Sequence, residues 1–214
     1  METSKGTRYL NVDVTTPAGL QRAVTLKLVE SSLADVMFTP LVTQAAEIFS
    51  TENPGRLFTI FRHPLERSMG IYQAAKSADR AIASMSLADY AANELPNNEL
   101  VRTLVGKSAT DDLTEDDLFL AMEIVRRKCV VGLVGRMEES MIRFQTYFGW
   151  VSLLVDGVSQ CQKDLLAQSD QRVPEPKPGS EAYNIMVGQN RLDLRLYDYA
   201  LHVYDVQGGN SQAA

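Results

Sequence analysis

An α/β fold with a mostly parallel sheet is what this 214-residue sequence predicts. Three observations carry that reading. Short β-branched or aromatic runs alternate with stretches of helical apolar spacing in the first third of the chain. Residues 55–73, GRLFTIFRHPLERSMGIYQ, read as a buried strand followed directly by a helix. A second apolar run, CVVGLV at 129–134, follows a long amphipathic helix. Such alternation builds parallel sheets with crossover helices. The length suits one such domain, expected over 1–207, with 208–214 a disordered tail.

In order, residues 9–14, YLNVDV, alternate and predict a strand. Thr16 as N-cap and Pro17 at the first helical position open a helix to about residue 28. ADVMFT at 34–39 predicts a second strand, and Pro40 opens a helix to about residue 49. Residues 57–61 form the central strand. Pro64 suits a first helical turn, with Leu65, Met69 and Tyr72 recurring at helical spacing to about residue 78. Residues 84–106 are helical, with Ser86 an N-cap, a break at Pro96, and Leu100, Val101 and Leu104 sharing one face. Thr114 and Asp117 form a capping box for the next helix. Its acidic first turn and basic last turn (126–128) complement the helix dipole, and Leu118, Ala121, Met122 and Val125 make its core stripe. After the 129–134 strand, residues 137–148 form a helix with Met141, Phe144, Tyr147 and Phe148 inward. Residues 151–166 predict a strand or turn and then a helix. Residues 169–179 hold three prolines and predict a loop. A last helix covers 190–206, with Leu192, Leu196, Ala200, Val203 and Tyr204 inward, stopped by Gly208 and Gly209.

Composition removes several functions. Net charge is −6 and no basic run exceeds 126–128, which argues against a broad nucleic-acid-binding face. Cys129 and Cys161 make no disulfide framework and no zinc motif. With only His63 and His202, a histidine-rich metal site is excluded. No apolar stretch is long enough to span a bilayer, and the first residues lack a signal-peptide core, so a soluble chain is expected.

Arg62 stands at the carboxyl end of the 57–61 strand, just before a helix start. Anionic ligands bind at such junctions in open α/β sheets, and a guanidinium there can fork onto a phosphate. The plain alternative is a surface arginine paired with Glu66 or an aspartate. Arg102 reads as solvated or as an anion contact. Lys177, in the proline-rich loop, reads the same two ways.

The segment FTIFRHPLERSMGIYQ resembles the part of carbohydrate-type sulfotransferases that binds the 3′-phosphate of 3′-phosphoadenosine 5′-phosphosulfate (PAPS). YLNVDVTTPAGLQRA, NNELVRTLVG, RRKCVVGLVGRMEESMIRFQTYFGW and NRLDLRLYDYALHVYDVQ are similar, in the same order, to stretches of that family, especially its divergent microalgal members. The resemblance implies a three-layer sandwich, a P-loop-NTPase-like sulfotransferase fold, and transfer of a sulfuryl group from PAPS to a glycan hydroxyl without a metal. Arg62 matches the family arginine on the 3′-phosphate. Gly70 stands where the family usually has a serine. Ser68 lies two residues earlier, about 200° around a helix, poorly placed to replace it. The binding set implied is Arg62, Gly70, Ser68, Arg102 and Lys177, with no catalytic residue assigned; His63 reads as structural.

The family's P-loop-like strand–loop–helix, with its lysine, should precede the 9–14 strand, but only eight residues do. Ser4-Lys5-Gly6-Thr7 follows no strand and does not qualify. The expectations are an N-terminally incomplete fold, weak or absent transfer by this chain, and a Golgi lumen location if a missing anchor exists. The alternative function is a non-catalytic nucleotide- or protein-binding module on the same fold. Another P-loop-type enzyme is disfavoured because the sequence has no Walker motif.

Overall fold

The computed structural model describes residues 11–150, 160, 164, 166 and 173–210. The described chain is α/β and mostly helical, with one two-stranded sheet. It divides into two compact units, Met1–Gly55 with Arg102–Ser108, and Arg56–Val101 with Ala109–Ala214.

The first unit contains helix α1 (Pro17–Thr25) and helix α2 (Val42–Ala46). Thr16 caps α1 by accepting from the Gly19 amide at 3.1 Å, with Pro17 in the first turn as expected. The helix stops short of residue 28 because Lys27 turns left-handed, at φ 50°. Two expected strands are absent. Of 9–14, the described residues 11–13 have no regular structure and a turn begins at Val14. The carboxylate of Asp13 accepts from the Thr15 amide and hydroxyl at 3.1 and 2.6 Å, and these local bonds compete with a ladder. Those same bonds hold the Asp13 pKa below its usual value. Residues 34–39 are also irregular, because Phe38 is 72% exposed and the segment has no buried face to hold a strand. It is tied instead by the Thr39 hydroxyl, which donates to the Val14 carbonyl at 2.8 Å. The helix expected to reach residue 49 is only the short α2.

The second unit carries strand β1 (Leu57–Phe61), helices α3 (Pro64–Ala78), α4 (Arg80–Ala83) and α5 (Leu87–Asn93), and the start of α6 (Glu99–Val105). Next come α7 (Glu115–Lys128), strand β2 (Cys129–Leu133), a 3₁₀ turn (Val134–Arg136) and α8 (Met137–Phe148). Helices α9 (Glu181–Gln189) and α10 (Arg191–Asn210) close it. The Ser86 cap and the Thr114–Asp117 capping box both form. The expected strand or turn and helix over 151–166 lies almost wholly outside the described residues.

Strands β1 and β2 pair in parallel, Leu57 opposite Cys129 through Phe61 opposite Leu133. Side chains occupy the other edge of β2. Gln207 of α10 accepts from the Val131 amide and donates to the Cys129 carbonyl, both at 2.9 Å. Arg143 donates to the Val131 carbonyl at 3.1 Å, and the Ser140 hydroxyl accepts from the Leu133 amide at 2.9 Å. These polar groups would otherwise require a third strand, since buried backbone groups must be paired. β2 is buried throughout, and burial pushes the Cys129 thiol up to about 11, consistent with a small apolar packing residue. A Cβ on Gly132 would come within 2.6 Å of the Phe144 ring, so glycine lets α8 lie close to the strand. That seating turns Ser140, Phe144 and Gln145 inward, while Tyr147, expected inward, is half-exposed.

Leu118, Ala121 and Val125 of α7 are buried, as are Leu192, Leu196, Ala200, Val203 and Tyr204 of α10. A second cluster joins Leu65 and Tyr72 of α3, Tyr90 and Ala91 of α5, Leu95, and Met186 of α9. Two helix starts also cap each other. The Asp193 carboxylate accepts from the Leu100 and Val101 amides at the start of α6, both at 2.9 Å. Asn98, left-handed at φ 44°, accepts from the Leu192 and Asp193 amides at the start of α10, at 2.8 and 3.2 Å. Asp193 is 1% exposed. Burial raises its pKa, opposed by the two amides and by Arg67.

Candidate functional site

The candidate site is the junction of β1 and α3. The residue before a proline is pushed to extended backbone, and His63 has φ −53° and ψ 130°. Pro64 then starts α3, whose first turn closes with the Arg67 amide on the His63 carbonyl at 2.9 Å. Among the described residues, no side chain caps this helix start. The helix dipole therefore presents positive potential at the strand end.

Arg62 stands between strand and helix, half-buried. Its guanidinium leans over α3: a Cβ added at Gly70 would lie 3.8 Å from Nη1. Among the described residues, no carboxylate pairs with Arg62, whereas Arg67, on the same helix, is held by Glu99 at 2.6 Å. Two of the five expected ligand residues, Arg62 and Gly70, are thus adjacent. Ser68 is turned into the core, 2% exposed, donating to the Pro64 carbonyl at 2.9 Å and facing the Asn190 amide at 3.4 Å. Its hydroxyl serves packing between α3 and the α9–α10 corner. Lys177 is exposed on the segment 173–179, which has no helix or strand, in accord with the expected loop as far as it is described. Arg102 belongs to the first unit, where its Nη1 donates to the Ser108 carbonyl just beyond the end of α6. That end turns at Gly106, φ 73°, where a Cβ would meet the Thr43 hydroxyl at 2.8 Å.

His63 and Glu175 are a pair that local spacing gave no means of finding. His63 Nδ1 lies 2.9 Å from Glu175 Oε1. The approach is off the N–H axis, so Nδ1 makes no directed hydrogen bond although the atom is buried. The contact is a close approach of ring and carboxylate and not an aligned bond. The His63 ring stands edge-on to Tyr197 at 5.3 Å. Burial raises the Tyr197 phenol pKa, and the Glu66, Asp198 and Glu175 carboxylates push it further against Arg136. The Arg62 guanidinium and the α3 start can hold a negative group; the Glu175 carboxylate lies against the His63 ring.

Among the described residues, no cluster of three metal-ligating side chains occurs, and no helix is long and apolar enough to cross a membrane. A scan of family models, a search of curated proteins and a search of solved structures each find no match.

Proposed function

We propose that this chain is a sulfotransferase-like protein whose Arg62 corner binds the ribose-linked phosphate of PAPS. The observation that carries the reading is the placement of Arg62: at the end of a parallel strand, over Gly70, beside an uncapped helix start, and not paired to a described carboxylate. The chemistry matches an anion, because the guanidinium supplies charge and fork geometry while the α3 amides supply donors. Under this reading β1 and β2 are neighbouring strands of a three-layer, P-loop-NTPase-like sandwich, and the acceptor is a glycan hydroxyl. Sulfuryl transfer, like phosphoryl transfer, depends on positioning and charge stabilisation. Lys177 is an accessory cation in the same proposal.

The test is calorimetry with adenosine 3′,5′-bisphosphate on the whole chain. Arg62→Ala is expected to weaken binding roughly tenfold to a hundredfold, the cost of a lost charge-assisted pair at about 1.5–3 kcal/mol. The thermal midpoint should not fall. Equal affinity in wild type and variant would refute the assignment. A labelled-PAPS assay separates the two functional readings: binding with weak or absent turnover supports a binding module, and robust turnover supports the enzyme.

A further inference from the structure

We propose that the outward face of helix α7 is a self-association surface, on which a second copy of this chain packs antiparallel about a two-fold axis. The helix period defines the face. At about 100° per residue, Asp116, Phe119, Leu120, Glu123 and Arg127 fall within roughly 50° of one line along α7. The buried Leu118, Ala121 and Val125 lie on the opposite side, against the core. A helix face turned to water ordinarily carries polar and charged groups along its length. Here the middle is apolar, with Phe119 56% and Leu120 51% exposed as adjacent large side chains. Lone surface apolar residues are ordinary, whereas an apolar patch rimmed by charge marks an association site.

The charges at the two ends of the patch select its occupant. Asp116 stands before it, in the first turn of α7, and Arg127 after it, in the last. Such a face is complementary to its own reverse. A two-fold axis crossing α7 between residues 121 and 122 leaves Asp116 and Arg127 each about 8 Å from the axis along the helix. Each Asp116 then stands opposite the partner's Arg127. Leu120 lies only about 2 Å from the same axis, so the two copies of Leu120 meet at the centre and Phe119 flanks them. Parallel packing would instead oppose Asp116 with the partner's Asp116, and like charges across an interface are unfavourable. An isologous pair of this form satisfies both ends at once and closes at two copies.

The ion pairs within the face leave those end charges available. Among the described residues, no cation pairs with Asp116, while its neighbour Glu115 is held by Arg195 at 2.6 Å. Glu123 holds two arginines. Arg126 donates to it through Nε and Nη2, both at 2.9 Å, and Arg127 Nε lies 2.5 Å from its other oxygen. The forked Arg126 pair compensates the Glu123 carboxylate by itself. Arg127, with its side chain 64% exposed, is thus free to turn to the partner's Asp116. Two apolar side chains per copy make a small interface, of the kind that transient complexes use.

Sedimentation equilibrium of the whole chain tests this. The weight-average mass should climb from the monomer toward the dimer value between roughly 10 μM and 1 mM protein. Leu120→Ser takes an apolar side chain from both copies and should weaken association about tenfold. Asp116→Arg and Arg127→Asp each set like charges opposite one another twice, and each should weaken it by about tenfold or more. All three positions are exposed, so each variant should keep the circular dichroism of the wild type. A 1:1 mixture of Asp116→Arg with Arg127→Asp should regain wild-type association, because both contacts then join opposite charges. Wild type that stays monomeric over this range overturns the proposal and leaves the face to a different partner or to solvent. Undiminished association of Leu120→Ser, or a mixture no more associated than its two components, also overturns it.

Discussion

The start of α6 and the start of α3 lie in the same unit and treat their free amides in opposite ways. At α6 the Leu100 and Val101 amides are taken by a buried aspartate from α10, and α10 is capped in return by Asn98. Every donor named there has a partner inside the protein. At α3 no described side chain caps the helix, and the flanking arginine has no described carboxylate. Placing an uncompensated cation beside an uncapped helix costs stability unless something else supplies the anion. The contrast sets a start that holds the fold beside the one we propose for a ligand.

Asp193→Ala should give the largest effect. It strands two donors and removes the link between α6 and α10, for a loss of about 3 kcal/mol in denaturant unfolding. The same variant should leave bisphosphate affinity unchanged. A comparable loss of affinity would break the distinction between the two starts. The pH dependence has a definite sign. Burial raises the Asp193 pKa in the folded state. The folded protein therefore holds that proton more tightly, and the contribution is fully present below the unfolded pKa and lost as pH rises through the folded one. Asp193→Asn has no such titration. The stability of wild type relative to Asp193→Asn should thus increase as pH falls from neutral toward the ordinary carboxylate range.

Asn98→Ala comes next. The alanine must adopt a left-handed backbone and gives up the cap on α10, together about 2 kcal/mol. Asn98→Gly relieves the backbone and should recover about half of that loss. Because both residues serve one clasp, Asn98→Ala with Asp193→Ala should cost less than the sum of the two. Simple additivity would mean that the two caps are independent.

The sequence displayed what depends on neighbours along the chain. Thr114 and Asp117 make their box within one turn, and β1 shows as an apolar run with a proline close behind. The inward stripe of α10 is regular enough to read residue by residue. Failures came where distant groups decide. Gly208 and Gly209 were expected to stop α10, yet the helix continues to Asn210, where Gln207 is fastened to β2. Residues 181–189 offered a glycine and mixed polarity, and became helix α9 through the Ser180 cap and burial of Met186. The expected strand at 34–39 had the right residues but no surface to cover Phe38. At the site, Arg62 could be picked out from its position after a strand. Ser68 is turned into the core by packing, and the His63–Glu175 contact joins segments that no local pattern connects.

The smallest expected effect tests the open start most directly. At Gly70 a Cβ would rest 3.8 Å from Arg62 Nη1, an ordinary contact distance, so a side chain fits there without moving the guanidinium. Gly70→Ser places a hydroxyl beside a phosphate held by Arg62. One added neutral donor is worth about 1 kcal/mol, so affinity for adenosine 3′,5′-bisphosphate should rise about fivefold. Replacing a glycine inside α3 also adds roughly 0.5 kcal/mol of helix stability, which by itself has nothing to do with the ligand. Gly70→Ala separates the two contributions, because it shares the backbone gain and lacks the hydroxyl. Higher affinity in serine but not alanine, with both thermal midpoints raised, places the ligand between Arg62 and residue 70. Equal affinity in both variants would locate any bound phosphate elsewhere on the junction.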